Sequence, residues 1–185
     1  SVLLDIDPSV QPDVCLDARQ LETLEPRTFD AIYCSHNLEH YYAHDVPRVL
    51  RGFQHILRDD GFAEIRVPDM AGLFKEIASR NLDIDDELYR STRGPVLVRD
   101  VIYGFGPEIE QSGVDFYAHR TGFTAQSLTE ALRRAGFARL VQVTPRPREI
   151  AMLAFVQIPS QELLQLLGLR LTSAKTAPEV PAASR

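Results

Sequence analysis

The sequence predicts an α/β fold: a mostly parallel sheet with helices on both faces and an antiparallel terminal strand. Three observations predict it. Short apolar runs that stop at acids or proline recur along the first seventy residues, as buried strands do. Two stretches repeat apolar residues at helical spacing, one among these runs and one after them. Two β-like runs, ARLVQVT and EIAMLAFVQI, then follow each other across Pro145 and Pro147, as a hairpin would. Strands alternating with helices pair parallel, and a closing hairpin adds the antiparallel strand.

The elements follow in order. SVLLDID is a strand stopped by Pro8, and Val14 to Leu16 is a weaker one. FDAIYCS is the third. Asp45 then offers an N-cap to a helix whose Val46, Val49, Leu50, Phe53, Ile56 and Leu57 share one face. Pro47 fits its first turn, and Gly61 is expected to close it. FAEIRVPD is a fourth strand, and Asp69 caps a helix carrying Leu73, Phe74 and Ile77. Residues 82–122 hold Gly94, Gly104, Gly106 and Gly113 among several aromatics, Tyr103, Phe105, Phe116 and Tyr117 included. They are expected to be an irregular lid or substrate-side insertion. Thr124 caps a helix lined by Leu128, Ala131, Leu132 and Ala135, with Gly136 at its C-terminal end. A last helix is expected within 159–171, and the Ala/Pro/Ser-rich tail, 172–185, is expected to be disordered.

Bulk properties exclude some functions. The 185 residues suffice for one cored domain, and the net charge of −6 argues against nucleic acid as the main partner. No apolar stretch is long enough to span a bilayer. Cys15 and Cys34, in apolar strand-like runs, are expected to be buried thiols of a reducing, cytoplasmic compartment. The sequence opens at Ser1 rather than a methionine, so a segment upstream is expected to be missing.

The stretch HNLEH, residues 36–40, admits two readings. It fits H-x-x-E-H, in which two histidines hold zinc and the glutamate activates water. It also fits a loop leaving a sheet towards a cofactor. The zinc reading needs both histidines on one helix and a further carboxylate, for which only Glu108 or Glu110 offers itself. The helix signal begins only at Asp45, so the loop reading is preferred and no metal site is assigned. His44 adds a third imidazole nearby.

Taken together and in this order, VLLDIDPS, LDARQL, FDAIYCSHNLEHY, GFAEIRVPD and HRTGFTAQSLTEALRRAGF resemble a class I S-adenosylmethionine-dependent methyltransferase over residues 2–158. The resemblance implies a Rossmann-like sheet of seven strands, all parallel but the last, in a domain over 1–158. It implies S-adenosylmethionine as cofactor. It implies that Asp5 accepts from the ribose hydroxyls, that Ile6 packs on the adenine, that Asp17 accepts from the adenine amino group and that Ala18 donates its N–H to the ring. Ser35 and His36 would lie beside the methionine part. His40, His36 and His119 are candidates for a catalytic base, His40 first because it lies furthest along the loop.

The sequence departs from the family at its start. The family's first strand, with its Gly-rich turn, lies mid-sheet, and Val2 to Ile6 already matches the second strand. The strands of residues 2–16 are therefore expected to lack a neighbour joining them to the rest. The functional expectation is methyl transfer to an unknown acceptor, a small molecule or a glycan-linked one. The alternative is a truncated, non-catalytic methyltransferase-like binding domain, and a zinc-dependent hydrolase through HNLEH is more remote.

Overall fold

The structure, a computed structural model, describes residues 1–169. The tail expected to be disordered and the last two residues of the expected 159–171 helix lie outside the described residues. Strand β1 (Leu4–Asp5) pairs parallel with β2 (Val14–Cys15). Strand β3 (Phe29–Ser35) pairs parallel with β4 (Leu57–Pro68), in a register that sets Cys34 opposite Ile65. This is the parallel pair expected from Ala31–Cys34 and Ala63–Val67. The last two strands, β7 (Arg139–Gln142) and β8 (Glu149–Phe155), form the expected hairpin, and β8 runs antiparallel to β4. The sheet order is β3-β4-β8-β7, so β8 alone opposes the direction of its neighbours.

The two sheets do not join. One edge of β1 is used by β2, through Leu3 and Asp5 carbonyls accepting from Val14 and Leu16, and one edge of β3 is used by β4. Between the other two edges lies a cavity of about 310 Å³. Leu4 to Ile6 form one wall, Ala31 to Ser35 the other, and Ala18, Leu21, Phe53 and Ile56 the floor. Among the described residues no strand fills it. This is the seam at which the resemblance places the family's first strand.

Helix α1 (Val46–Ile56) buries the face that the spacing predicts, with Val49 and Leu50 fully covered. It ends at Ile56, not at Gly61. Leu57 is already extended and begins β4, because its side chain buries in the core beside β3 rather than on the helix. Gly52 lets α1 approach the 3-10 turn Ala18–Thr23. A Cβ there would lie 2.7 Å from the Cβ of Leu21. Gly52→Val should therefore lower the unfolding free energy by about 1–3 kcal/mol, measured by urea denaturation, because overpacking outweighs any gain in helix propensity.

Helix α2 (Met70–Arg80) is capped by Asp69, whose carboxylate accepts from the Ala71 N–H. Leu73 is buried, but Phe74 is mostly exposed, unlike the expectation. The 82–122 segment is not irregular. It folds into a hairpin, β5 (Glu87–Ser91) and β6 (Gly94–Leu97), followed by α3 (Val98–Tyr103) and α4 (Gly106–Ser112). Leu88 and Val98 pack with Leu73 in a small core of their own. Buried Asp100 holds the turn together, accepting from the N–H groups of Leu97 and Gly106. Gly104, at φ +101°, sits where a Cβ would collide with the Tyr117 carbonyl, so only glycine fits. Helix α5 (Ala125–Arg134) is capped by Thr124 and buries Leu128 and Leu132, and α6 (Gln161–Leu166) follows Ser160. Cys34 is buried and its thiol is pushed up to about 12 by that burial. Cys15 is exposed, against expectation, because two-residue β2 lies at a sheet edge. No described helix is long and apolar enough to cross a membrane.

Candidate functional site

The ends of β1 and β3 open onto one cleft of about 400 Å³, lined by Asp5, Ile6, Asp17, His36 and His40 among others. Ala18 and Ser35 do not line it; they face the cavity between the sheets. Asp5 uses one carboxylate oxygen to accept from the Asp7 N–H at 2.9 Å, and the other has no partner among the described residues. Asp17 is differently placed. Its two oxygens accept from the Arg19 backbone and guanidinium at 2.6–3.1 Å, and the same group holds the carboxyl below its ordinary value against the opposing effect of burial. To accept from an adenine amino group, Asp17 would have to release the half-exposed Arg19. Ile6 is 37% exposed at the cleft edge, open to a flat ring.

The HNLEH stretch leaves β3 through His36, whose φ of +51° is left-handed and turns the chain sharply. A 3-10 turn, Leu38–His40, follows. The stretch is not an α-helix, so the two histidines do not take the one-turn spacing that the zinc-hydrolase reading requires. The His36 ring lies between two carboxylates, Glu39 at 3.3 Å and Glu149 at 3.5 Å. Glu39 above all, then Glu149, holds the imidazole above its ordinary value, while burial opposes them. Glu149 is buried on β8 and also accepts from Arg66 and from the Arg146 N–H. Burial would raise its carboxyl, but these donors hold it below the usual range.

His40 has both ring nitrogens within 3.1 Å of carbonyls, those of Ala118 and His36. His119 reaches the same place from 79 residues further along. Its Nδ1 lies 3.0 Å from the Val101 carbonyl, and its ring centroid is 5.1 Å from that of His40. Because a carbonyl only accepts, Nδ1 carries the proton, and Nε2 has no partner among the described residues. Burial pushes the His119 imidazole below its ordinary value. The backbone fixes this meeting: the N–H groups of Arg120 and Thr121 both donate to the Glu39 carbonyl, at 2.7 and 3.2 Å.

A second cleft, of about 570 Å³, lies on the other side of His36. Its walls include Tyr89, Val96 and Phe105 from the 82–122 segment, and His119, Arg146 and Glu149. His36 lines both clefts. The sequence reading missed Glu39 and Glu149 as site groups. Glu39 was visible only as part of H-x-x-E-H, and Glu149 carried no signal, being one acid opening an apolar run.

A sequence profile described as a methyltransferase domain matches residues 3–143. The chain belongs to the methyltransferase domain family. The match runs from the foot of β1 through β7 and includes the whole lining of the first cleft, while Arg146 to Glu149 of the second lie beyond it. Among solved structures, a possible exported protein from Bordetella parapertussis shares the fold at a TM-score of 0.51 and 14% identity, over 84% of this chain and 52% of that one. A SAM-dependent methyltransferase from Archaeoglobus fulgidus is similar at a TM-score of 0.49 and 12% identity, over 82% of this chain and 73% of that one. A Burkholderia thailandensis 1,6-didemethyltoxoflavin-N1-methyltransferase, with 1,6-didemethyltoxoflavin and S-adenosylhomocysteine bound, is similar at 0.47 and 20%, over 84% and 60%. The chain spans about half of the Bordetella protein, and 32% of a chain containing the citrinin polyketide synthase CMeT domain. No curated protein matches its sequence. Membership in the methyltransferase family implies S-adenosylmethionine as methyl donor, and the residues present fit part of it: the free Asp5 oxygen suits a ribose diol, and Ile6 suits an adenine face.

Proposed function

We propose that this domain transfers a methyl group from S-adenosylmethionine, bound in the Asp5–Asp17 cleft, to a small-molecule acceptor bound in the cleft of the 82–122 segment. One observation carries the reading: His36 stands on the wall that the two clefts share. Methyl transfer from a sulfonium is an in-line displacement and depends mainly on holding donor and acceptor on one axis. Two clefts meeting at one wall offer such an axis. The Tyr89, Val96 and Phe105 side chains lining the second cleft support a small-molecule acceptor. A glycan-linked acceptor also remains compatible with a cleft whose walls are aromatic and arginine-bearing.

Of the three candidate bases, His40 is the least available, since carbonyls face both its nitrogens. His36 stands between Glu39 and Glu149 in charge contacts of 3.3 and 3.5 Å, which favour its protonated form and so make it a poor base. His119 lies on the acceptor side with Nε2 open and burial favouring its neutral form, so it is the group best placed to take a hydroxyl or amine proton. These contacts favour His119 as the base over His40, the candidate that the sequence placed first.

Asp5→Ala tests the cofactor cleft. Losing an acceptor to a ribose hydroxyl removes a charge-assisted bond of about 1.5–3 kcal/mol, so affinity for S-adenosylhomocysteine should fall roughly ten- to hundredfold. The measurement is calorimetric titration of a form of the protein that binds the ligand, and unchanged affinity removes Asp5 from the site. A second reading, a non-catalytic methyltransferase-like domain, is favoured by the unfilled seam between β1 and β3. Methyl transfer by the protein to any acceptor would end it.

A further inference from the structure

We propose that Glu39, His40 and His119 bind one divalent cation of the zinc class, in the wall between the two clefts. Glu39 is 1% exposed, and neither of its carboxylate oxygens accepts a hydrogen bond among the described residues. The His36 ring is 3.3 Å from one of them, without hydrogen-bond geometry, and is half exposed. A buried carboxylate with no donors is a strong acceptor left open, and a cation satisfies it more fully than a half-solvated ring can. One ligand atom from each of Glu39, His40 and His119 lies within 4.8 Å of the others. Zinc bonds of about 2.0–2.2 Å place tetrahedral donors roughly 3.4 Å apart, so the three close on an ion by side-chain shifts on the order of 1 Å.

The surroundings fit a metal as well. His119 gives its Nδ1 proton to the Val101 carbonyl, which fixes the ring and directs the Nε2 lone pair outward. His40 can keep one of its two carbonyl contacts and turn the other nitrogen to the ion. Ligating histidines are ordinarily held this way, by a second hydrogen bond to an oxygen. Two imidazoles and one carboxylate favour Zn²⁺, Co²⁺ or Ni²⁺ over Mg²⁺ or Ca²⁺. This ligand set is not the one H-x-x-E-H implies: Glu39 is a ligand rather than a base, and His119 replaces His36.

The consequence for catalysis rests on the methyl-transfer reading. With the ion bound, His119 no longer serves as base. Glu39, His40 and His119 would hold the ion, and it would supply Lewis acidity that makes an acceptor hydroxyl easier to deprotonate.

The test uses residues 1–185 carrying Cys15→Ser, to remove the exposed thiol, and no S-adenosylmethionine. Co²⁺ titration followed by visible absorption should show one equivalent with tetrahedral bands, displaced by Zn²⁺. Glu39→Gln and His119→Ala should each weaken binding at least tenfold, and His36→Ala should keep the bands. X-ray absorption of the zinc-loaded protein should show a nitrogen and oxygen shell with imidazole scattering, independently of whether any variant folds. A sulfur shell, no stoichiometric binding, or a loss in His36→Ala as deep as in His119→Ala would each overturn the proposal. Because no cofactor is used, failure here leaves the methyl-transfer reading untouched. Metal binding by a protein that takes no S-adenosylhomocysteine leaves the ion site standing alone.

Discussion

Residues 1–185 by themselves should bind S-adenosylhomocysteine weakly or not measurably, and a chain with a further strand between β1 and β3 should bind it at micromolar concentration. The cleft offers acceptors for the adenosine half at Asp5 and, once Arg19 moves, at Asp17. For the amino-acid half it offers little. Among the described residues no glycine lines the cleft as a Gly-rich turn would, and the nearby Arg120 is already paired with Asp115 at 2.6 Å. Among the described residues the same seam leaves the facing edges of β1 and β3 without strand partners. A strand in the slot would tie the two sheets into one and bring a turn to the cleft. The measurement is calorimetric titration of residues 1–185 and of a chain with a strand and a Gly-rich turn fused ahead of Ser1. Micromolar binding by residues 1–185 would show that another segment supplies the missing contacts.

Arg66→Met should destabilise the fold by about 3 kcal/mol, since removing one partner of a buried ion pair strands the other. Glu149 is 3% exposed at its side chain and receives the Arg66 guanidinium, which Glu64 holds at 2.7 Å from its far side. Breaking buried pairs costs about 3–5 kcal/mol, and the 16% exposure of Arg66 puts this one at the lower end. The pair also has a pH signature. The Glu149 carboxyl is held below its ordinary 4.5, so its contribution is fully present above that value and is lost as pH falls through the lowered one. Urea denaturation between pH 7 and pH 3 should show this loss in the native protein and less of it in Arg66→Met. Equal acid sensitivity of the two proteins would count against the pair as the source.

Much of the fold was legible along the chain. The i, i+3, i+4 spacing of Val46, Val49, Leu50 and Phe53, and the caps at Asp69 and Thr124, are local signals, and the helices formed where those signals lie. The end of α1 was misread because Leu57 fits the helical period, and only burial beside β3 makes it extended. The hairpin and two short helices within 82–122 were hidden, because elements of four to seven residues carry almost no periodicity. Their stability comes from the Asp100 caps and a core shared with Leu73, neither of which can be read from neighbours in sequence.

The sequence by itself determined the methyltransferase family, the order of strands along the chain and the seam that no strand fills among the described residues, since these depend on residues within one element or on the order of elements. Tertiary structure alone decided the chemistry of the wall between the clefts. His119 meets His40 because the Arg120 and Thr121 N–H groups bind the Glu39 carbonyl, and Glu149 meets His36 because β8 inserts next to β4 rather than at the sheet edge. Both contacts join residues about 80 to 110 positions apart, and local propensity carries no information at that range. Burial then gives each group its character: the open Glu39 carboxylate, the His36 imidazole raised and the His119 imidazole lowered are consequences of water exclusion and neighbouring charge, which exist only once the chain has closed around them.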